Sequence, residues 1–157
     1  MIIPVEDLEN TAREIRGAGK RIVFTNGCFD LLHPGHVALL EASSRMGDVL
    51  IVAINDDASV QRLKGTARPI YPAAERAEIL LGTRWVDYVT VFSEDTPLET
   101  IRALRPDVLV KGAEYGAGAI VGEDFLKGYG GVVERFPMEP GYATSELVER
   151  IKRSNDS

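Results

Sequence analysis

Both histidines of the chain stand in one stretch, FTNGCFDLLHPGH, residues 24–36. His33 and His36 are three positions apart, separated by Pro34-Gly35, just after an apolar run and a glycine-containing loop. Two imidazoles at the start of a helix flank its positive end, where unpaired N–H groups and the macrodipole attract an anion. An imidazole donates a hydrogen bond whether neutral or charged, so the pair is suited to phosphoryl oxygens over a range of protonation states. The chemistry this implies is binding a phosphate and stabilising charge that grows on it. Pro34 fits a first helical position, where its missing N–H would be unpaired anyway, and Gly27 lets backbone approach a ligand closely. Zinc is the other option for two histidines, but Cys28 and Asp30 are poorly spaced to complete a tetrahedron with them. Cys28 reads as a small packing residue, because no base stands in a motif that would activate its thiol.

The remaining charges matter because the formal net charge is −6, which excludes a general nucleic-acid binder and makes each cation's position informative. Lys64 and Arg68, in LKGTARPI, are expected on a loop after the second strand, at the same sheet edge as His33; they read either as solvated loop charges or as phosphate contacts. Arg76 either serves the site or pairs on the surface with Glu75 or Glu78. Asn55 and Asp56, with Asp57, either cap the next helix or accept hydrogen bonds from the hydroxyls of a polyol. Lys111 closes another apolar run, and Thr144 and Ser145 open the last helix, where their plain role is capping.

These residues need elements to position them. Apolar spacing predicts a helix over 6–18, then a strand in RIVFTNG, a helix over 35–46 and a strand in VLIVAIN. A weaker helix over 58–63 leads to the loop KGTARPIYP, and a helix in AAERAEILLG, a strand in DYVTVF, a helix in PLETIRALR and a strand in DVLVKG follow. A short helix in IVGEDFLKGYG, a strand in GVVERF and a helix in TSELVERIKR complete the order. Continuous apolar strands alternating with helices predict an α/β fold: a Rossmann-like, doubly wound, five-stranded parallel sheet with its ligand at the carboxyl ends of the strands. One domain over 1–157 is expected, its core spanning about 20–151 after an N-terminal helix within 1–19. The acidic start MIIPVEDLEN and the lack of a long apolar run give the expectation of a cytoplasmic protein with no membrane partner, and a single cysteine leaves no internal disulfide.

NGCFDLLHPGH resembles the HxGH signature of the nucleotidyltransferase superfamily, which includes the cytidylyltransferases. GDVLIVAINDDASVQRLKG, RPI, ERA, VDYV, PDVLVKG, IVG and the GYAT segment together resemble, within it, the ADP-heptose synthase family, the D-glycero-β-D-manno-heptose 1-phosphate adenylyltransferases. The resemblance implies transfer of an adenylyl group from ATP, with Mg²⁺ on the triphosphate and no dedicated protein metal site, to heptose 1-phosphate, for a lipopolysaccharide-type surface glycan. It implies catalysis by His33, His36 and Lys64. Nucleotide contacts would come from Thr25, Asn26, Gly27, Cys28, Phe29 and Gly35 in the first turn, Lys111 and Gly112 after the fourth strand, and Tyr142, Thr144 and Ser145 before the last helix. Substrate contacts would come from Asp30, Asn55, Asp56, Arg68 and Arg76. Ala113, Glu114 and Ala143 depart from the family's usual KGGDY and GYSTT. A chain of this length has no room for the sugar kinase to which such domains are often fused, so a separate upstream kinase is expected, and a homodimer is the assembly that related domains suggest. A cytidylyltransferase acting on glycerol phosphate and a nucleotide-binding module without turnover are the alternatives.

Overall fold

The computed structural model describes residues 1–112, 120–138 and 141–156. After a 3₁₀ turn, Val5–Asp7, the elements run α1 (Leu8–Gly17), β1 (Ile22–Gly27), α2 (Pro34–Ser44), β2 (Val49–Asn55), α3 (Asp57–Lys64), α4 (Ala73–Leu81), β3 (Tyr88–Phe92), α5 (Leu98–Leu104), β4 (Val108–Gly112), α6 (Glu123–Lys127), β5 (Val132–Phe136) and α7 (Thr144–Asn155). Every expected strand and helix is present, with shifted ends. The main shift puts Lys64 in the last turn of α3 rather than on the loop behind it.

The five strands form one sheet in the order β3-β2-β1-β4-β5, and every pairing is parallel. Alternation along the strands splits the core into two layers. Ile22 and Phe24 of β1 with Val49, Ile51 and Ala53 of β2 meet α1, α5 and α6 through Leu8, Ala12, Ile15, Ile101, Leu104 and Leu126. Val23, Leu50, Val52 and Ile54 face the other way, onto Leu39 and Leu40 of α2 and Ala77 and Leu80 of α4. All seven residues of β2 are buried, as a strand covered on both faces must be, which is why its first six residues are continuously apolar.

The sheet's register is set by carboxylates at the strands' amino ends. Asp48 accepts the N–H of Arg21, Asp87 that of Leu50 and Asp107 that of Ile22, all at 2.7–2.8 Å. An aspartate placed just ahead of an apolar run thus pins the neighbouring strand and satisfies an edge N–H. The chain winds outward from β1 through β2 to β3, then returns to the other side of β1 for β4 and β5. The switch point lies between β1 and β4, so their carboxyl ends, with the loops that leave them, bound the crevice where such sheets hold ligands. Among the described residues no helix is long and apolar enough to cross a membrane.

Candidate active site

A cavity of about 470 Å³ opens at that switch point. Asn26 and Gly27 at the end of β1, Cys28 to Asp30 from the turn after it, His33 and His36 from the start of α2, and Asn55 at the end of β2 line it together with Lys64, Arg68 and Lys111. Tyr142, Ala143, Thr144 and Ser145 at the start of α7 close one side.

The two histidines hold each other. Nδ1 of His33 accepts the N–H of His36 at 3.4 Å, and Nδ1 of His36 accepts the N–H of His33 at 3.3 Å, a reciprocal capping box at the first turn of α2. The rings stack with centroids 3.7 Å apart and 23° between planes. Each Nδ1 faces a backbone donor, so the hydrogen bonds assign the proton of the neutral ring to Nε2, the one N–H each ring offers a ligand in the cavity. Burial, then the neighbouring His33, pushes His36 down to about 3 against the pull of Asp30; burial also lowers His33, with Glu146 opposing. The pair is therefore neutral near pH 7, and both rings are polar donors that carry no charge of their own. Gly35 makes the stack fit: a Cβ there would lie 3.0 Å from Cε1 and Nδ1 of His33 and 3.1 Å from Cβ of Tyr142.

Positive charge comes from elsewhere. Lys64 is exposed at the rim and makes no ion pair among the described residues. Lys111, at the end of β4, is lowered by burial to about 8, with Cys28 opposing. The N-cap of α7 is Ala143, which has no side-chain acceptor, so no side chain caps the first N–H groups of that helix where it borders the cavity. Thr144 does not cap either; its Oγ1 donates to the carbonyl of Asp30 at 2.6 Å. Ser145 lies beside it on the cavity wall.

Several expected ligand contacts have structural duties instead. Thr25 is buried and its hydroxyl donates to the carbonyl of Val110, tying β1 to β4. Asp56 caps α3 by accepting the N–H of Ser59. Arg76, 1% exposed, does not line the cavity and pairs with neither Glu75 nor Glu78. Its guanidinium donates to the carbonyls of Tyr71, Cys28 and Asn55 and to Asp57 at 2.8–2.9 Å, joining three loops. Asp30 borders the cavity, but its carboxylate is spent on Arg68 and two backbone N–H groups rather than left for a substrate hydroxyl. Burial acts to raise the Asp30 carboxyl, but those donors prevail and hold it below the usual carboxylate range. Gly112 lies under Met138, which a Cβ would meet at 2.9 Å, and Gly27 packs on the ring of Phe29. Phe29 and Leu31 flank Asp30 with φ of 49° and 50°, a left-handed conformation that costs a non-glycine residue on the order of 1 kcal/mol or more. Burial raises the Cys28 thiol, which agrees with a packing role. Ala113 and Glu114 lie outside the described residues.

Asp95, Thr96 and Pro97, between β3 and α5, and Met138, after β5, also line the cavity and were not anticipated. The SEDTP segment follows a strand at the same sheet edge, and that position was the available signal. Among the described residues no three His, Cys, Asp or Glu side chains converge as a metal cage.

A family model described as cytidylyltransferase-like matches residues 24–151, which include the first turn, both cavity lysines and the start of α7. The chain belongs to the cytidylyltransferase-like family. As a member of this family it is a nucleotidyltransferase by class. It is 50% identical over 146 residues to the bifunctional protein HldE of Syntrophotalea carbinolica, covering 93% of this chain and 30% of that protein. It is likewise 50% identical over 151 residues to the bifunctional protein HldE of Gluconobacter oxydans, covering 96% of this chain and 32% of that one. The chain thus spans about a third of the length of these curated relatives. Among solved structures, the lipopolysaccharide core biosynthesis protein from Thermoplasma volcanium superposes with a TM-score of 0.63 at 26% identity, over 77% of this chain and 98% of that one. The pantoate-beta-alanine ligase from Francisella tularensis superposes with a TM-score of 0.68 at 14% identity, over 97% of this chain and 77% of that one, a likeness of fold alone.

Proposed function

We propose that the protein is an adenylyltransferase that joins D-glycero-β-D-manno-heptose 1-phosphate to the adenylyl group of ATP, giving ADP-heptose and pyrophosphate. The observation that carries the reading is the histidine pair, each Nδ1 tied to backbone, in one cavity with Lys64 and Lys111 and bordered by the amino ends of α2 and α7. The choice of heptose and of ATP rests on the resemblance of the first turn and the later segments to the ADP-heptose synthase family, and on relatives named HldE.

The chemistry needs no covalent intermediate. A phosphate oxygen of the sugar 1-phosphate, already anionic at neutral pH, attacks the α-phosphorus of ATP as the bond to the pyrophosphate oxygen breaks on the opposite side. Negative charge grows on the leaving pyrophosphate and on the oxygens of the five-coordinate phosphorus. Nε2–H of His33 and His36 donates to those oxygens, and Lys64 and Lys111 supply charge. The uncapped N–H groups of α7 hold the outer phosphates. With its Nδ1 accepting a backbone N–H, His36 acts through Nε2–H as a hydrogen-bond donor. Mg²⁺ brought in with the nucleotide would be held by the phosphates and would supply charge neutralisation on the triphosphate.

The product would feed a surface glycan of the lipopolysaccharide type, with a separate sugar kinase supplying the substrate, in the cytoplasm and as a homodimer. The test is a pyrophosphate-release screen of ATP and CTP against heptose 1-phosphate, other sugar 1-phosphates and glycerol phosphate. Turnover with ATP and heptose 1-phosphate well above all other pairs is the expected result. Preference for CTP with an alcohol phosphate would replace the reading with a glycerol-phosphate-type cytidylyltransferase, and nucleotide binding without turnover would leave a binding module.

A further inference from the structure

Three segments that border the cavity meet at one residue, Asp30. The carboxylate of Asp30, fully buried, accepts the N–H of Ile70 at 2.7 Å, the N–H of Tyr71 at 3.0 Å and Nε of Arg68 at 2.9 Å. Its carbonyl accepts the hydroxyl of Thr144 at the start of α7. The two residues that flank it are both left-handed, a backbone that persists only where surrounding contacts over-determine it.

The geometry of the Asp30–Arg68 contact is the informative part. Arginine–carboxylate pairs made for rigidity commonly engage two guanidinium nitrogens at once. Here the carboxylate takes Nε, and the two terminal nitrogens of Arg68 have no partner among the described residues. The side chain is only 12% exposed, yet Arg68 lines the cavity. A guanidinium held at its inner nitrogen, with no partner for its fork among the described residues and on a side chain that lines a cavity collecting other phosphate-binding groups, is available to an anion.

We infer that Asp30 is a positioning residue: it fixes Arg68 through Nε so that the terminal guanidinium nitrogens meet a phosphate. It also joins the loop behind Lys64 and the start of α7 to the histidine turn. The inference rests on the reading above that the cavity holds phosphates. A structural ion pair alone would make Asp30 matter for stability and not for anion affinity, whereas a positioning role makes its effect on affinity pass through Arg68.

A double-mutant cycle with inorganic pyrophosphate as the probe separates these. In Asp30→Asn, one amide oxygen still accepts a backbone N–H, but the amide no longer attracts Nε. Pyrophosphate affinity by calorimetry is expected to fall roughly 10- to 100-fold, the worth of one charge-assisted hydrogen bond. Arg68→Ala should lose a similar factor, and the double variant should bind no more weakly than Arg68→Ala alone. If Asp30→Asn does not fold, Arg68→Lys, which keeps the charge but loses the fork and Nε, carries the test with an expected loss of about 10-fold or more. Unchanged affinity in Asp30→Asn or in Arg68→Lys, or penalties that simply add in the double variant, would overturn the inference. Wild-type protein that binds no pyrophosphate would overturn it as well. Wild-type protein that binds pyrophosphate with these couplings yet turns over no nucleotide would defeat the proposed reaction and leave this inference standing.

Discussion

Replacing Gly35 by alanine tests whether the histidine pair acts through its position. Gly35 is in the first turn of α2 with ordinary helical backbone, so alanine suits the main chain and would by propensity stabilise the helix by up to about 1 kcal/mol. Against this, the new Cβ would lie 3.0 Å from the His33 ring and 3.1 Å from Cβ of Tyr142, tighter than an ordinary carbon contact, so neighbours must yield by a few tenths of an ångström. His33 cannot yield alone, because its ring is stacked at 3.7 Å on His36 and its Nδ1 is held by the N–H of that residue. The pair must move together, or the capping box must open. A displacement of about 1 Å in a catalytic group costs on the order of 10²-fold in rate, so a few tenths should cost about 3- to 10-fold. The two energetic terms nearly cancel in stability but not in rate. Thermal unfolding is therefore expected within a few degrees of wild type, with kcat for pyrophosphate release down about 3- to 10-fold. A variant equally stable and fully active would refute the claim that ring placement at the helix start sets the rate.

Other perturbations follow from the same geometry. Replacing His36 by alanine removes one transition-state donor and should cut kcat by about 10² to 10³, with circular dichroism unchanged; wild-type turnover would end the proposed role. Lys111 is charged below and neutral above its value of about 8, so kcat/KM for the nucleotide should fall as pH rises through that point, and Lys111→Met should remove the inflection. The ring of His36, at about 3 when folded and near 6.5 when unfolded, takes up its proton in the unfolded chain first, so its contribution to stability falls as pH drops through that window. Urea melts at about pH 7 and about pH 5 should show a smaller acid loss in His36→Asn than in wild type. Arg76→Leu leaves the carbonyls of Tyr71, Cys28 and Asn55 without their donor, while the half-exposed Asp57 keeps water and the N–H of Ala73, and is expected to destabilise the protein by about 1 to 3 kcal/mol in urea melts; an unchanged midpoint would contradict its role as a strut.

Much of the fold is legible because a sheet covered on both faces forces a local signal. VLIVAI and VLV are apolar throughout, since neither face of β2 nor the middle of β4 meets water, and Asp48, Asp87 and Asp107 mark where strands begin. The histidine turn is legible for a related reason. Pro34 and Gly35 announce a helix start, and the position after β1 in a doubly wound sheet identifies the crevice from the order of elements alone.

What the sequence could not give is which polar side chain faces the ligand and which faces the protein. Asp30, Arg68 and Arg76 look alike as isolated charges near the site, and only the three-dimensional partners separate them. Arg76 is engaged on every side by carbonyls and Asp57, and Asp30 is saturated by donors 38 to 41 residues away. Arg68 is held at one nitrogen and keeps two for something else. The same holds within the histidine pair: the spacing announces two rings at a helix end, but their tautomer depends on each Nδ1 meeting the other residue's N–H, a reciprocity visible only once the helix is built. Residue type and spacing thus locate the chemistry, while the division between groups that act and groups that hold them is set by which hydrogen bonds folding has already used.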